Sequence, residues 1–156
     1  MSESSFSTLD RFDRAILHGV AEDGRISVTD LADKIGLSKS PTQARLKKLE
    51  TQGFILGYRA QLNLIQLGLD HVAFVEVKLS DTREAALNAF NQAACNVPEI
   101  EQAHMIAGSF DYLLKVRTSD MTSYRRILGE VISALPHVAS TSTYVAMEAV
   151  KETTAG

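Results

Sequence analysis

The sequence predicts an α+β chain in two parts, an N-terminal three-helix (winged) helix-turn-helix followed by a C-terminal ferredoxin-like βαββαβ domain. Three observations carry this. Two glycine-punctuated helical segments lead into a third helix with a cationic outer face. The second half then changes between strand and helix periods in the order β-α-β-β-α-β. Charge divides in the same way: residues 1–60 hold nine basic and eight acidic side chains, residues 61–156 seven and eleven.

The first helix is expected from Asp10 to Glu22. The Asp10 carboxylate can cap its exposed N–H groups, Asp13 stands three residues on, and Phe12, Ala15, Ile16 and Val20 recur at helical spacing. Ser27-Val28-Thr29-Asp30 repeats the start signal ahead of Leu31, Ala32 and Ile35, and Gly36 can supply the left-handed conformation that ends this short second helix. A third start follows at once, with Ser38 or Ser40 as cap and Pro41 in the first turn. At 100° per residue, Thr42, Leu46 and Leu49 share one side of the third helix. Ser40, Ala44, Lys47, Lys48 and Thr51 lie opposite, with Gln43 and Arg45 on the flanks. Gly53 closes it, and Phe54–Leu64 reads as extended.

From His71 the period becomes two, placing Ala73, Val75, Val77 and Leu79 on one face of a strand. Arg83–Ala94 returns to helical spacing. Two strands are expected at Ile100–Ala107 and Tyr112–Arg117, joined by Gly108-Ser109-Phe110-Asp111. Met121–Leu135 reads as a helix stopped by Pro136, and Val138–Val150 as the last strand. The expected organisation is a flexible start over 1–8, a helix-turn-helix over 9–60, a linker over 61–70, the second domain over 71–150 and a frayed tail over 151–156.

Composition excludes several classes. The 156 residues are 45% apolar and 22% charged, with no apolar run of membrane-spanning length and no leader-like start. Cys95 is the only cysteine, so an internal disulfide is impossible; a reducing cytoplasm fits best. His18, His71, His104 and His137 are scattered without ligand spacing, and no phosphate loop or catalytic spacing appears. No metal or cofactor is implied, and Cys95 reads as a small half-buried side chain.

The net charge of −3 argues against a nucleic-acid partner until its distribution is considered. Lys39, Arg45, Lys47, Lys48 and Arg59 face a single acid, Glu50, between Lys39 and Arg59. On a helix entering a major groove, Lys47 and Lys48 are phosphate candidates. Ser40, Thr42, Gln43, Ala44 and Arg45 occupy the turns that meet base edges, with Ser38 at the helix start. Gln43 suits adenine and Arg45 guanine. An ordinary solvated lysine face is the competing reading, which the preceding turn disfavours. The Gly108–Tyr112 turn is the second candidate: its amides could meet the carboxylate of an α-amino acid and Asp111 its ammonium, against the plainer reading of a hairpin turn.

Leu9–Leu17, Asp23-Gly24-Arg25-Ile26-Ser27, Gly36-Leu37-Ser38 with Pro41, and Leu49-Glu50 leading to Gly53–Tyr58 resemble the Lrp/AsnC, or feast/famine, transcription regulators. Gly108–Lys115 and Thr143-Tyr144-Val145 are similar to the leucine-responsive branch, and the chain as a whole to members that activate proline dehydrogenase genes. The resemblance runs from Leu9 to about Glu152. It implies a DNA-binding segment from Val28 to Lys47, dimers formed by pairing C-terminal sheets, and assembly into tetramers or octamers on double-stranded DNA. It also implies a small amino-acid effector, proline or leucine-like, held between dimers. Carried over by position, the effector residues are Gly108, Phe110, Asp111 and Tyr112, with Met121, Tyr144 and Val145 as neighbours. A bacterial-type cytoplasmic, nucleoid-associated regulator is therefore expected. An amino-acid-binding module that acts on an enzyme without DNA, and a small enzyme of the same fold, are the alternatives.

Overall fold

The computed structural model describes residues 9–152. The start expected to be flexible over 1–8 lies outside them, as does the expected tail beyond Glu152. The chain divides into two compact units between Gln61 and Leu62.

The first unit is three helices, α1 (Arg11–Glu22), α2 (Val28–Ile35) and α3 (Lys39–Thr51). Asp10 caps α1 by accepting from the Phe12 and Asp13 amides, while Asp13 reaches back to the Asp10 N–H. Ser27 caps α2. Gly36 sits at φ +74°, and the Leu37 N–H turns back to the Ala32 carbonyl at 3.0 Å, so the chain leaves α2 sharply and enters α3 three residues later. α3 closes in the same manner, with Gly53 at φ +78° and the Phe54 N–H on the Leu49 carbonyl. Ile16, Leu31 and Leu49, one from each helix, are fully buried together, each contributing roughly 1.5–3 kcal/mol. Phe54–Leu64, expected to be extended, forms no strand, so the wing included in the expected fold is absent from the described residues.

The second unit is β1 (His71–Leu79), α4 (Glu84–Cys95), β2 (Ile100–Met105), β3 (Tyr112–Thr118), α5 (Met121–Glu130) and β4 (Val138–Val145). The antiparallel sheet has the order β2-β3-β1-β4. Ala73, Val75, Val77, Tyr112, Leu114 and Val116 point to one face, where Phe90, Ala94, Tyr124 and Ile127 from the two helices complete the core. The alternate residues Val72, Phe74, Glu76, Lys78, Leu113, Lys115 and Arg117 make the outer face.

Two elements are shorter than their sequence patterns. α5 ends at Glu130, and a 3₁₀ turn over Ile132–Ala134 replaces the last helical turn. The tighter winding aligns residues three apart, which lets Ile132 and Leu135 both reach the core. β4 stops at Val145, opposite Ala73, rather than at Val150; the Ala146 N–H still donates to the Val72 carbonyl, and because β1 begins at His71 no pairing with it could continue past Met147. No described helix is long and apolar enough to cross a membrane. Among the described residues, no group of three His, Cys, Asp or Glu side chains is placed to hold a metal ion.

Candidate functional site

The outward side of α3 is polar and cationic. Ser38, Ser40, Gln43, Ala44, Lys47 and Lys48 are all exposed. The first turn contains no acidic residue, whereas those of α1 and α2 hold Asp13 and Asp30. Its free N–H groups and the two lysines present one sign of charge to a partner. Among the described residues of this unit, the ion pairs, Lys34 and His18 with Glu22 and Arg45 with Asp10 and Asp13, engage neither Lys47 nor Lys48. Glu50, the one carboxylate on α3, accepts from the Tyr58 hydroxyl at 2.8 Å.

Two sequence-predicted contacts need correction. Thr42 is fully buried, and its hydroxyl donates to the Ser38 carbonyl at 2.9 Å, so it anchors the start of α3 and cannot reach a base. Arg45 is half-buried, with Nη1 2.7 Å from both Asp10 and Asp13 and its guanidinium over the Phe12 ring. Asp13 and then Asp10 hold the Arg45 guanidinium even more firmly charged than usual. In this arrangement it fastens α3 to α1 and is not free to read guanine.

In the second unit the Gly108–Asp111 turn is docked onto β1. The Asp111 N–H donates to the Val77 carbonyl at 2.9 Å, and its carboxylate accepts from the Leu79 N–H at 2.7 Å, beside the register shift between Lys78 and Leu79. Asp111 thus has a structural task that its place in a turn did not reveal. Tyr112 leaves the list of ligand contacts: it is 2% exposed, stacks on Phe90 and donates to Asn91 Oδ1 at 2.7 Å. Burial pushes its phenol pKa up. Gly108 is exposed and Phe110 half-buried.

Met121, Tyr144 and Val145 are also exposed, but they lie toward the other end of the sheet. Tyr112 pairs with Val77 and Val145 with Ala73, four residues away along β1 or about 13 Å. Met121 follows Thr118, which pairs with His71 beyond that. Within one chain the expected effector residues therefore form two groups rather than one pocket.

Sequence reasoning missed a cleft of about 120 Å³ beside the turn, lined by Glu76, Lys78, Ser109, Phe110 and the hydroxyl run Ser140-Thr141-Ser142. The polar residues alternating with the buried face of β1 were the available signal. It also missed a cluster at the far side of the outer face, where Lys115 and Arg117 meet Glu101 and Glu152. Burial works against charge on Glu101, yet Arg117 and Lys115 hold its carboxyl below the ordinary range. Cys95, expected half-buried, is exposed at the end of α4.

Residues 9–50 match the AsnC-type helix-turn-helix domain and residues 72–156 the Lrp/AsnC ligand binding domain. The chain is 61% identical over 145 residues to a proline dehydrogenase transcriptional activator of Rhizobium radiobacter, covering 93% of each. It is 46% identical over 144 residues to the leucine-responsive regulatory protein of Escherichia coli, covering 92% of this chain and 88% of that one. Among solved structures it is similar to a transcriptional regulator of Neisseria meningitidis in complex with L-Met, at a TM-score of 0.88 and 28% identity, covering 94% of this chain and 95% of that one.

Proposed function

This chain belongs to the Lrp/AsnC family, and from that premise we propose that it is a sequence-specific DNA-binding regulator of amino-acid metabolism genes, responding to a small amino acid. The observation that carries the reading is the division of α3. Thr42, Leu46 and Leu49 lock its inner side while Ser40, Gln43, Ala44, Lys47 and Lys48 stand outward together. Lys47 and Lys48 hold phosphates, and Ser38, Ser40, Gln43 and Ala44 face the groove. Residues 9–60 act on DNA, 61–70 link, and 71–150 bind effector and self-associate.

The effector is proline or a leucine-like amino acid. The relatives named for the proline dehydrogenase gene and for leucine support this, as does the L-Met bound to the Neisseria regulator. Because the expected effector residues form two separated groups in one chain, the site is completed between chains, Gly108, Phe110 and Asp111 of one approaching Met121, Tyr144 and Val145 of another. Dimers form through the outer sheet face, where Phe74 and Tyr144 lie side by side in the register and stand exposed. Such a dimer sets two α3 helices in successive major grooves, about 34–36 Å apart, and further assembly gives tetramers or octamers. The protein works with the DNA of the nucleoid in the cytoplasm. To switch, the amino acid must bind one assembly better than another.

A gel-shift titration tests this, using DNA from upstream of the chain's own gene and its neighbours, at two salt concentrations, with proline, leucine and a mixed amino-acid panel. Specific, salt-sensitive binding altered by one amino acid is expected. Absence of specific binding on every fragment, with an amino acid still bound in solution, would overturn the DNA reading.

A further inference from the structure

The outer face of the sheet is unevenly covered. Val72 and Lys115 both point to it and are 8% and 9% exposed, whereas Phe74, two residues from Val72 and paired with Lys115, is 37% exposed. The core helices pack on the opposite face, so they are not what shields Val72 and Lys115.

The chain after β4 reaches this end of the face. The Ala146 N–H donates to the Val72 carbonyl at 2.9 Å, and six residues later Glu152 bonds Lys115 and lies 3.3 Å from Arg117 Nη2. In the order β2-β3-β1-β4, passing from the β4 edge to β3 means crossing β1, about 10 Å at the usual strand spacing. Six extended residues span roughly 20 Å, so the segment reaches with slack. It crosses the end of the face where Val72 pairs with Arg117.

What fastens it is charge. Met147 and Val150 on this segment lie open to solvent and anchor nothing. At its end, Lys115 and Arg117, with side chains each 10% exposed, share two carboxylates: Glu101 from β2 and Glu152. Arg117 is held on a third side by the Leu69 carbonyl, 3.0 Å from Nη1. Without Glu152, two largely desolvated cations would be left with one carboxylate, an arrangement that burial penalises.

We infer that Ala146–Glu152 is a strap latched across the outer sheet face by the Glu152 carboxylate on Lys115 and Arg117. Closed, it restricts the open part of that face to the side of Phe74 and Tyr144. Unlatched, it bares Val72 and the Lys115 amine as well. The strap is a property of the single chain and does not depend on the DNA reading.

The test is acetylation of the full-length chain with an N-hydroxysuccinimide ester, followed residue by residue by mass spectrometry, with exposed Lys48 on α3, in the first unit, as the internal reference. Glu152→Gln removes one charge at an exposed position outside the sheet and both cores. It should raise the rate at Lys115 relative to Lys48 at least tenfold. Glu101→Gln removes the same charge from the same cations and leaves the strap in place, so its effect should stay below about threefold. Raising salt to 1 M should speed Lys115 in the unmodified chain and change Glu152→Gln little. An unchanged Lys115 rate in Glu152→Gln, or equal rates in the two variants, would overturn the latch. So would protection of Lys115 that disappears on dilution of the unmodified protein, because the cover would then be a second copy.

Discussion

Asp111 is asked to do two things, and replacing it in two ways separates them. Its carboxylate accepts from the Leu79 N–H at 2.7 Å, in a half-buried position where the sheet register shifts. Asp111→Ala strands that donor, and the loss of a charge-assisted bond in such surroundings costs about 2 kcal/mol. For a cooperative unit of this size, 1 kcal/mol moves the midpoint by about 4–8 °C, so the melting of the second unit should fall by roughly 8–16 °C. Asp111→Asn keeps an acceptor oxygen in place without the charge and should lose about half as much. Calorimetry on the full chain gives the first answer, and amino-acid-dependent gel shifts give the second. If the carboxylate also meets an effector ammonium, both variants lose the amino-acid response while DNA binding without effector persists. An Asp111→Ala protein that melts like the parent would refute the structural half, leaving the turn to its backbone bonds alone. An Asp111→Asn protein with a full amino-acid response would refute the ligand half.

Replacing Lys47 and Lys48 together by alanine should weaken binding to every DNA sequence and flatten the dependence of log K on log salt by about 2. Filter binding between 50 and 200 mM salt measures this, and an unaltered slope would strike both from the phosphate contacts. Thr42→Val fills the same buried space without the bond to Ser38, so stability should drop by about 1 kcal/mol in urea titrations. Its operator preference in a competition selection should not change; a shifted preference would return Thr42 to the DNA. Gly36→Ala forces a Cβ into the left-handed region and should cost the first unit about 1–2 kcal/mol, measured in the same titration. The Asp10 carboxyl is held below its ordinary 3.8 by the Asp13 N–H and by Arg45. The stability it adds is therefore present above pH 3.8 and lost as pH falls through the lowered value. Circular dichroism of the helices from pH 5 to 2 should show that loss, and Asp10→Asn should lack it.

Elements whose cause is local were legible in the sequence. Asp10, Ser27 and Gly36 act on backbone groups within a few residues, so their types and spacing already fix where α1 begins and where α2 begins and ends. The departures occur where a distant partner decides. Nothing near Val145 says that β4 should stop; the chain leaves the β1 edge once the Ala146 N–H has met the Val72 carbonyl, and it carries Glu152 to Lys115 and Arg117. The helical pattern of Met121–Leu135 is equally satisfied by a 3₁₀ turn once Ile132 and Leu135 must reach one core. Glu152 looked like part of a fraying end because its partners, Lys115 and Arg117, stand on another strand.

The site residues divide by the same logic. The helical wheel that put Lys47 and Lys48 outward also put Thr42 beside Leu46 and Leu49, and a position in the first turns of a recognition helix cannot override the direction a side chain faces. Arg45 sat on the flank, where direction alone is undecided, and Asp10 and Asp13, 35 and 32 residues earlier, decided it. On the sheet, Tyr112 follows Asp111 in sequence but strand alternation sends it to the opposite face, into the core against Phe90. Resemblance transfers a set of positions without saying which share a pocket in one chain. The register supplies that: Tyr112 opposite Val77 and Val145 opposite Ala73 are about 13 Å apart along β1, farther than a single small amino acid can bridge. If Asp111 and Tyr144 act on one effector, they do so from different chains, and the response to amino acid then depends on protein concentration as well as ligand concentration.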